Sequence, residues 1–130
     1  MKGEVEAGKT APQDLRERTK QYALRIIRLY ASLPKTTEAQ VIGRQLLRSG
    51  TSVGAHYREA QRAKSNLDFV SKIEGALQEL DETAYWLELL EEAGIVPAKR
   101  LDSLRDETNE LTAIFVTIVK KVKSKSKRPL

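Results

Sequence analysis

Ser49-Gly50-Thr51-Ser52-Val53-Gly54-Ala55-His56-Tyr57-Arg58-Glu59-Ala60 is the stretch on which the fold turns. It lies within a helical pattern, yet Gly50 and Gly54 stand one turn apart in it, and Gly43 precedes them on the same side. Each glycine in a helix interior costs ~1 kcal/mol relative to alanine. Three on one face call for a compensating gain, and close backbone approach by a neighbouring helix supplies one. Ser49, Ser52 and Ala55 extend the small surface, and Arg44, Arg48, Arg58, Arg62 and Lys64 bracket it with positive charge. The sequence therefore predicts a helix that is both tightly packed and basic.

Working outward, Thr37 with Gln40 three residues later reads as a capping box for that helix. Its inward stripe is Ile42, Leu46, Ser49, Val53, Tyr57 and Ala60. Upstream, Leu15, Thr19, Tyr22, Ile26, Leu29 and Leu33 recur at three- and four-residue steps, with Ala23, Ile27 and Tyr30 widening the stripe. Asp14 reads as the cap of this first helix, and Leu33-Pro34 ends it. Downstream, Ser65 begins a weaker capping signal. Phe69, Ile73, Ala76, Leu80, Ala84, Leu87 and Leu90 then form the inward face of a third helix that Gly94 stops.

Pro97 suits the opening of a fourth helix, whose stripe is Leu101, Leu104, Thr108, Leu111, Phe115, Ile118 and Val122. The predicted spans are about 14–33, 37–63, 66–92 and 98–123. With no competing strand signal and short connections, the expected fold is all-α, an antiparallel up-down-up-down four-helix bundle. Residues 1–13 read as a disordered lead-in and 124–130 as a basic disordered tail.

Two surfaces do not fit a solitary bundle. At 100° per residue Tyr85 and Leu89 lie roughly opposite Leu87, and the second half of the fourth helix is apolar nearly all round, as in helices buried on more than one side. Tyr85, Trp86, Leu89, Val116 and Val119 are the expected self-association surface.

The chain has 130 residues, a formal net charge of +5 and no cysteine, so disulfides and thiolate metal sites are excluded. The start has no signal-peptide core and no run is long enough to cross a membrane, which makes a soluble cytoplasmic protein the expectation. Charge is segregated. From Lys35 to Lys64 six bases face two acids, and from Ser65 to Gly94 one base faces eight acids. Either the basic and acidic helices pair within the bundle, or the basic one meets a partner. Arg44 with Arg48, and Arg58 with Arg62, are each one turn apart and could present a phosphate-sized site.

Catalytic chemistry finds little footing. His56 is the only histidine, so a His-pair metal site is impossible, and an ordinary helix-surface or interface role suits it better than titration or phosphate contact. Glu74, Glu79, Asp81 and Glu82 lack the Glu-x-x-His motif of bundle metal sites. No phosphate-cradling loop follows a strand, and Ser49, Thr51 and Ser52 have no base placed by spacing. No enzyme activity, metal, cofactor or small-molecule substrate is expected.

Gln45-Leu46-Leu47-Arg48 leading into the glycine stretch, then Phe69-Val70-Ser71-Lys72-Ile73 and Glu82-Thr83-Ala84-Tyr85-Trp86-Leu87-Glu88-Leu89-Leu90, resemble the family of 23S ribosomal RNA intervening-sequence proteins. The resemblance spans roughly Leu15 to Val122, with His56 where members often carry asparagine. It implies a helical bundle in a homo-oligomer, with a five-fold ring favoured, and distant relatives among the accessory proteins of diversity-generating retroelements. It carries no catalytic residues. Two functions remain open: an oligomer that binds RNA or other nucleic acid through Arg44, Arg48, Arg58, Arg62 and Lys64, or an oligomeric scaffold for a protein partner.

Overall fold

Ser65 is extended (φ −154°, ψ 163°), and its hydroxyl accepts a hydrogen bond from Asp68 N at 3.0 Å, starting a helix where the sequence places a cap. The computed structural model, which describes residues 12–127, holds four helices: α1 (Pro12–Ala31), α2 (Thr37–Gln61), α3 (Asn66–Glu92) and α4 (Ala98–Lys127). Gly94 takes φ 71° beyond the end of α3, and the amides of Ile95 and Val96 both reach back to Leu90 O. The greater part of the predicted lead-in, and residues 128–130 of the predicted tail, lie outside the described residues.

Several local expectations are corrected. The cap of α2 is Thr36 rather than Thr37, its hydroxyl accepting from Ala39 N at 3.3 Å, while the Gln40 side chain donates back to Pro34 O. Asp14 lies inside α1, which begins at Pro12. Helix α4 continues to Lys127, beyond the expected end. Lysine is a good helix former, positive charge suits a helix C-terminus, and Lys123 is held to Glu74 of α3 at 3.1 Å.

The main stripes of α1 and α2 are buried as read, apart from half-buried Ile42, but of the residues expected to widen the α1 stripe Ala23 and Tyr30 are half-buried and Ile27 is exposed. On α3, Val70 and Thr83 are buried while Phe69 and Ala84 are only half-buried, so the inward face is turned by one residue at those levels. On α4, Val119 takes the core position expected of Ile118.

Side-chain pairs fix the topology. Arg18, Tyr22 and Arg25 of α1, and Ser32 just past its end, meet Glu110, Thr108, Ser103 and Arg100 of α4, numbers falling on one helix as they rise on the other. Between α1 and α2, Thr19 lies against Gly54 and Ile26 against Gly50. Between α2 and α3, Ser49 meets Thr83 and His56 meets Gly75. Between α3 and α4, Glu74 meets Lys123 and Glu91 meets Arg105, the numbers again running in opposite senses. Sequential helices are thus antiparallel neighbours, as an up-and-down bundle requires.

The core is crossed by hydroxyl groups. Ser49 Oγ lies 2.8 Å from Thr83 Oγ1, and the Tyr22 phenol 2.6 Å from Thr108 Oγ1, all buried. Burial pushes the Tyr22 phenol up to about 12, against hydrogen bonding with Thr108 and Thr83 that pulls it down. Ser49, Thr83, Tyr22 and Thr108 thus draw on all four helices. Thr83 and Thr108 also donate to Glu79 O and Leu104 O, each at 2.8 Å, so their protons are matched.

Candidate functional site

The glycines of α2 face α1. A Cβ at Gly43 would fall 2.7 Å from Leu33 Cδ1, and one at Gly50 would fall 2.7 Å from Ile26 Cγ1. At Gly54 it would lie 3.1 Å from Thr19 Oγ1 and 3.6 Å from the Thr19 backbone carbon. Real Cβ contacts seldom fall this close, so α1 occupies the volume those side chains would need. A fourth glycine contact has no signal in the local pattern. The His56 ring lies over Gly75 of α3, where a Cβ would stand 2.9 Å from its Nδ1. That nitrogen is buried and has no hydrogen-bond partner among the described residues. Nε2 of the same ring is 3.7 Å from Glu79.

The five predicted cations do not form one patch. At 100° per residue Arg44 and Arg62 share the outer crest of α2, Arg48 leans one way and Arg58 the other. Arg48 is taken up by α3, pairing with Glu82 and, at 3.2 Å, with Glu79. Hydrogen bonding to Glu82 raises its already high pKa. Arg58 turns toward α1 and, with Lys20, flanks a shallow groove of about 320 Å³ floored by Gly54, Ala55 and Ala23. Arg44, Arg62 and Lys64 are exposed and form no ion pair with a described residue. Arg44 and Arg62 stand about 27 Å apart along the helix at 1.5 Å per residue, so they mark a line rather than a pocket.

On the opposite flank, Tyr85 is 51% exposed, and its ring centroid is 4.9 Å from that of Trp86. Trp86 and Leu89 are half-buried, and Trp86 Nε1 is buried with no acceptor among the described residues. Asp81, Glu82 and Glu88 line a shallow groove of about 450 Å³ beside Tyr85. Val116 is half-buried, but Val119 is 7% exposed and packs in the core. Val119 is therefore corrected from an outer-face residue to a core one, because α4 turns it toward the interior in place of Ile118.

A third basic region is missing from the sequence-based expectations. Arg25 and Arg28 of α1 and Arg100 of α4 line a cleft of about 290 Å³ with Ser32 and Ser103. The signal available was Arg25 with Arg28, three residues apart on the flank of the α1 stripe. Their meeting with Arg100 depends on tertiary pairing that no local pattern encodes. Among the described residues, no three histidine or carboxylate side chains gather as a metal site would need.

Four antiparallel helices with a glycine-lined seam and separate basic and acidic surfaces define an all-α, up-and-down bundle protein. The chain belongs to the 23S rRNA-intervening sequence protein family, whose model matches residues 13–117. A crystal structure of a protein of unknown function from the S23 ribosomal protein family, from Bacteroides thetaiotaomicron, is similar at 36% identity and a TM-score of 0.79. The match covers 84% of this chain and 97% of that one. No curated protein matches the chain. No helix of the described residues is long and apolar enough to cross a membrane.

Proposed function

We propose that the protein is a non-catalytic, self-associating bundle of the cytoplasm that binds RNA or other nucleic acid through its basic surfaces. The observation that carries this reading is the division of labour among charges. Acids on the seams of α3 are engaged by cations of this same chain, Glu79 and Glu82 by Arg48, Glu74 by Lys123 and Glu91 by Arg105, while Asp81, Glu88 and Glu92 are exposed and form no ion pair with a described residue. The cations on the crest of α2, Arg44 and Arg62 with Lys64 beyond them, are left facing outward. A spaced line of positive charge suits a polyanion better than a single small ligand. Several copies in a ring, five being the favoured number, would multiply weak sites into useful avidity. The ribosomal name of the similar Bacteroides protein agrees with this reading without establishing it.

The test is a fluorescence-anisotropy titration with a labelled single-stranded RNA at two salt concentrations. Binding that weakens steeply with salt and has little sequence preference is the expected result. No binding at low salt removes the nucleic-acid reading.

A second reading, an oligomeric scaffold for a protein partner, is favoured by the half-exposed Tyr85 beside the unsatisfied Trp86 indole. Light scattering of wild type and of a Tyr85→Glu/Leu89→Glu variant addresses it. An assembly mass that falls to that of the monomer in the variant supports this surface as the subunit contact. A monomeric wild type removes self-association from both readings.

A further inference from the structure

We propose that the cleft between Arg25, Arg28 and Arg100 is a binding site for a phosphate group, supplied by a polynucleotide backbone. The proposal deepens the nucleic-acid reading and rests on it only for the source of the phosphate. Three arginines on the helix seams are matched to carboxylates, whereas Arg16 donates to the Gln61 amide and Arg44, Arg58 and Arg62 form no ion pair with a described residue. Arg18 grips Glu107 with two donors at 2.7 and 2.8 Å and reaches Glu110 at 2.6 Å, and Glu107 raises its pKa. Arg48 meets Glu79 and Glu82, and Arg105 meets Glu91. At this cleft, the partners are serines. Arg25 Nη2 donates to Ser103 Oγ at 2.7 Å, and Arg100 Nη2 donates to Ser32 Oγ at 3.0 Å. Ser32 is itself oriented by donating to Leu29 O at 2.8 Å.

A hydroxyl positions a guanidinium without neutralising it. Each of these two arginines spends one of its five N–H donors on serine, leaving the rest of the fork for a bidentate anion such as phosphate. Three like charges around one small cleft repel one another, and the place of Arg28 in the last turn of α1, where the helix dipole favours a cation, offsets only part of that. An anion between them would reverse the sign of that interaction. Leu29 and Leu104 also line the cleft, and low-dielectric walls strengthen the field of the charges beside them.

Helix α4 supplies an independent argument. It opens with Lys99 and Arg100 and has no acid in its first turn, whereas α2 and α3 open with Glu38 and Asp68. The positive end of a helix dipole favours negative charge, so basic residues there oppose the dipole unless an anion joins them. Arg100 lies both in that first turn and in the cleft.

The experiment compares wild type with Arg28→Ala/Arg100→Ala and with Arg44→Ala/Arg62→Ala. All four side chains are exposed, so neither pair is needed for the core. The probes are inorganic pyrophosphate by titration calorimetry and a labelled single-stranded RNA by anisotropy at two salt concentrations. Melting temperature and assembly mass are measured alongside. The expected result is loss of pyrophosphate binding and at least a tenfold loss of RNA affinity in Arg28→Ala/Arg100→Ala. The salt slope should shrink by about 0.7 for each phosphate that the variant no longer neutralises. Pyrophosphate binding that this variant abolishes, with no RNA binding by wild type, keeps the phosphate site, assigns it to a small phosphate compound and removes the nucleic-acid reading. RNA binding unchanged in Arg28→Ala/Arg100→Ala, whether or not the α2 pair reduces it, overturns the cleft and leaves the nucleic-acid reading standing. Binding of neither probe overturns both. A changed assembly mass in Arg28→Ala/Arg100→Ala overturns the proposal in favour of acids from a second copy filling the cleft.

Discussion

Replacing Gly50 by alanine sets two effects of known sign against each other. The new methyl gains ~1 kcal/mol of helix propensity. It would also stand 2.7 Å from Ile26 Cγ1, 2.9 Å from Cγ2 and 3.0 Å from Cδ1. Those are not the loose end of a flexible chain. Ile26 is fully buried, and a β-branched side chain in a helix is held near one χ1 rotamer, so α1 itself must move. Overpacking of this kind costs ~1–3 kcal/mol. Taking ~2 kcal/mol for it, Gly50→Ala should destabilise by about 1 kcal/mol net, where a propensity scale alone would score the change as stabilising. Ile26→Ala alone should cost ~2–5 kcal/mol as a cavity. Combined with Gly50→Ala it removes the clash, and the alanine at 50 then contributes its propensity gain, for a coupling of roughly 2 kcal/mol. Ile26→Val keeps both γ carbons and should rescue little. Urea denaturation followed by far-UV circular dichroism, at fixed protein concentration because assembly shifts apparent stability, reads all of these. A Gly50→Ala protein stabilised by ~1 kcal/mol with Ile26 intact would refute close packing at this seam.

Three further outcomes are expected. Tyr22→Phe removes the hydrogen bond with Thr108 and should cost ~1 kcal/mol at neutral pH. The folded phenol titrates near 12 against an ordinary 10.0, so its contribution is complete below pH 10 and lost as pH rises toward 12. That loss amounts to ~3 kcal/mol, and Tyr22→Phe should show a correspondingly shallower alkaline decline; identical declines would remove the argument. Gly94→Ala forces a Cβ into φ 71° with no neighbouring atom within 4 Å, so the penalty is conformational, ~1–2 kcal/mol, with Gly94→Asn milder. Equal stability of all three proteins by denaturant titration would contradict it. Arg48→Ala and Glu82→Ala should couple by less than ~1 kcal/mol, because the pair is exposed and screened. A coupling of several kcal/mol in a double-mutant cycle would show that the α2–α3 seam depends on charge.

The punctuation of the chain is legible in the sequence because it is local. Ser65, Gly94 and Pro97 act through their own backbone neighbours, and the apolar stripes of α1 and α2 need only the helical period. Thr36 and Thr37 are adjacent and chemically equal, so choosing between them depends on which hydroxyl meets the free amide. Ala84 reads as the core residue in place of Thr83 because polarity argues for the surface. The burial of Thr83 makes sense only with Ser49 opposite, a residue of another helix. Val119 is misread for a related reason, since a segment apolar on every side carries no internal mark of which side faces the core. Of the candidate site, the exposure of Arg44 and Arg62 follows from their shared face. The capture of Arg48 by Glu79 and Glu82, and the convergence of Arg100 on Arg25 and Arg28, follow from helix pairing.

The hydroxyl line through Ser49, Thr83, Tyr22 and Thr108 bears on which arrangements the chain rejects. Apolar stripes repeat every turn, so a helix displaced along its neighbour by one turn, about 5.4 Å, would still bury leucines against leucines. Greasy surfaces alone discriminate weakly between the two alignments. In the displaced alignment the Tyr22–Thr108 or the Ser49–Thr83 bond would break, whichever joins the helix that has moved. Thr83 and Thr108 would keep the bonds to their own helices, but the Tyr22 phenol would be left without its Thr108 partner, and an orphaned buried hydroxyl costs ~1–3 kcal/mol. The two cross-helix pairs, which between them have a member on each of the four helices, act as a vernier against a one-turn slip of any single helix. Replacing all four by apolar residues of similar shape should therefore leave a bundle that still folds yet samples several alignments, with broadened amide resonances as its signature.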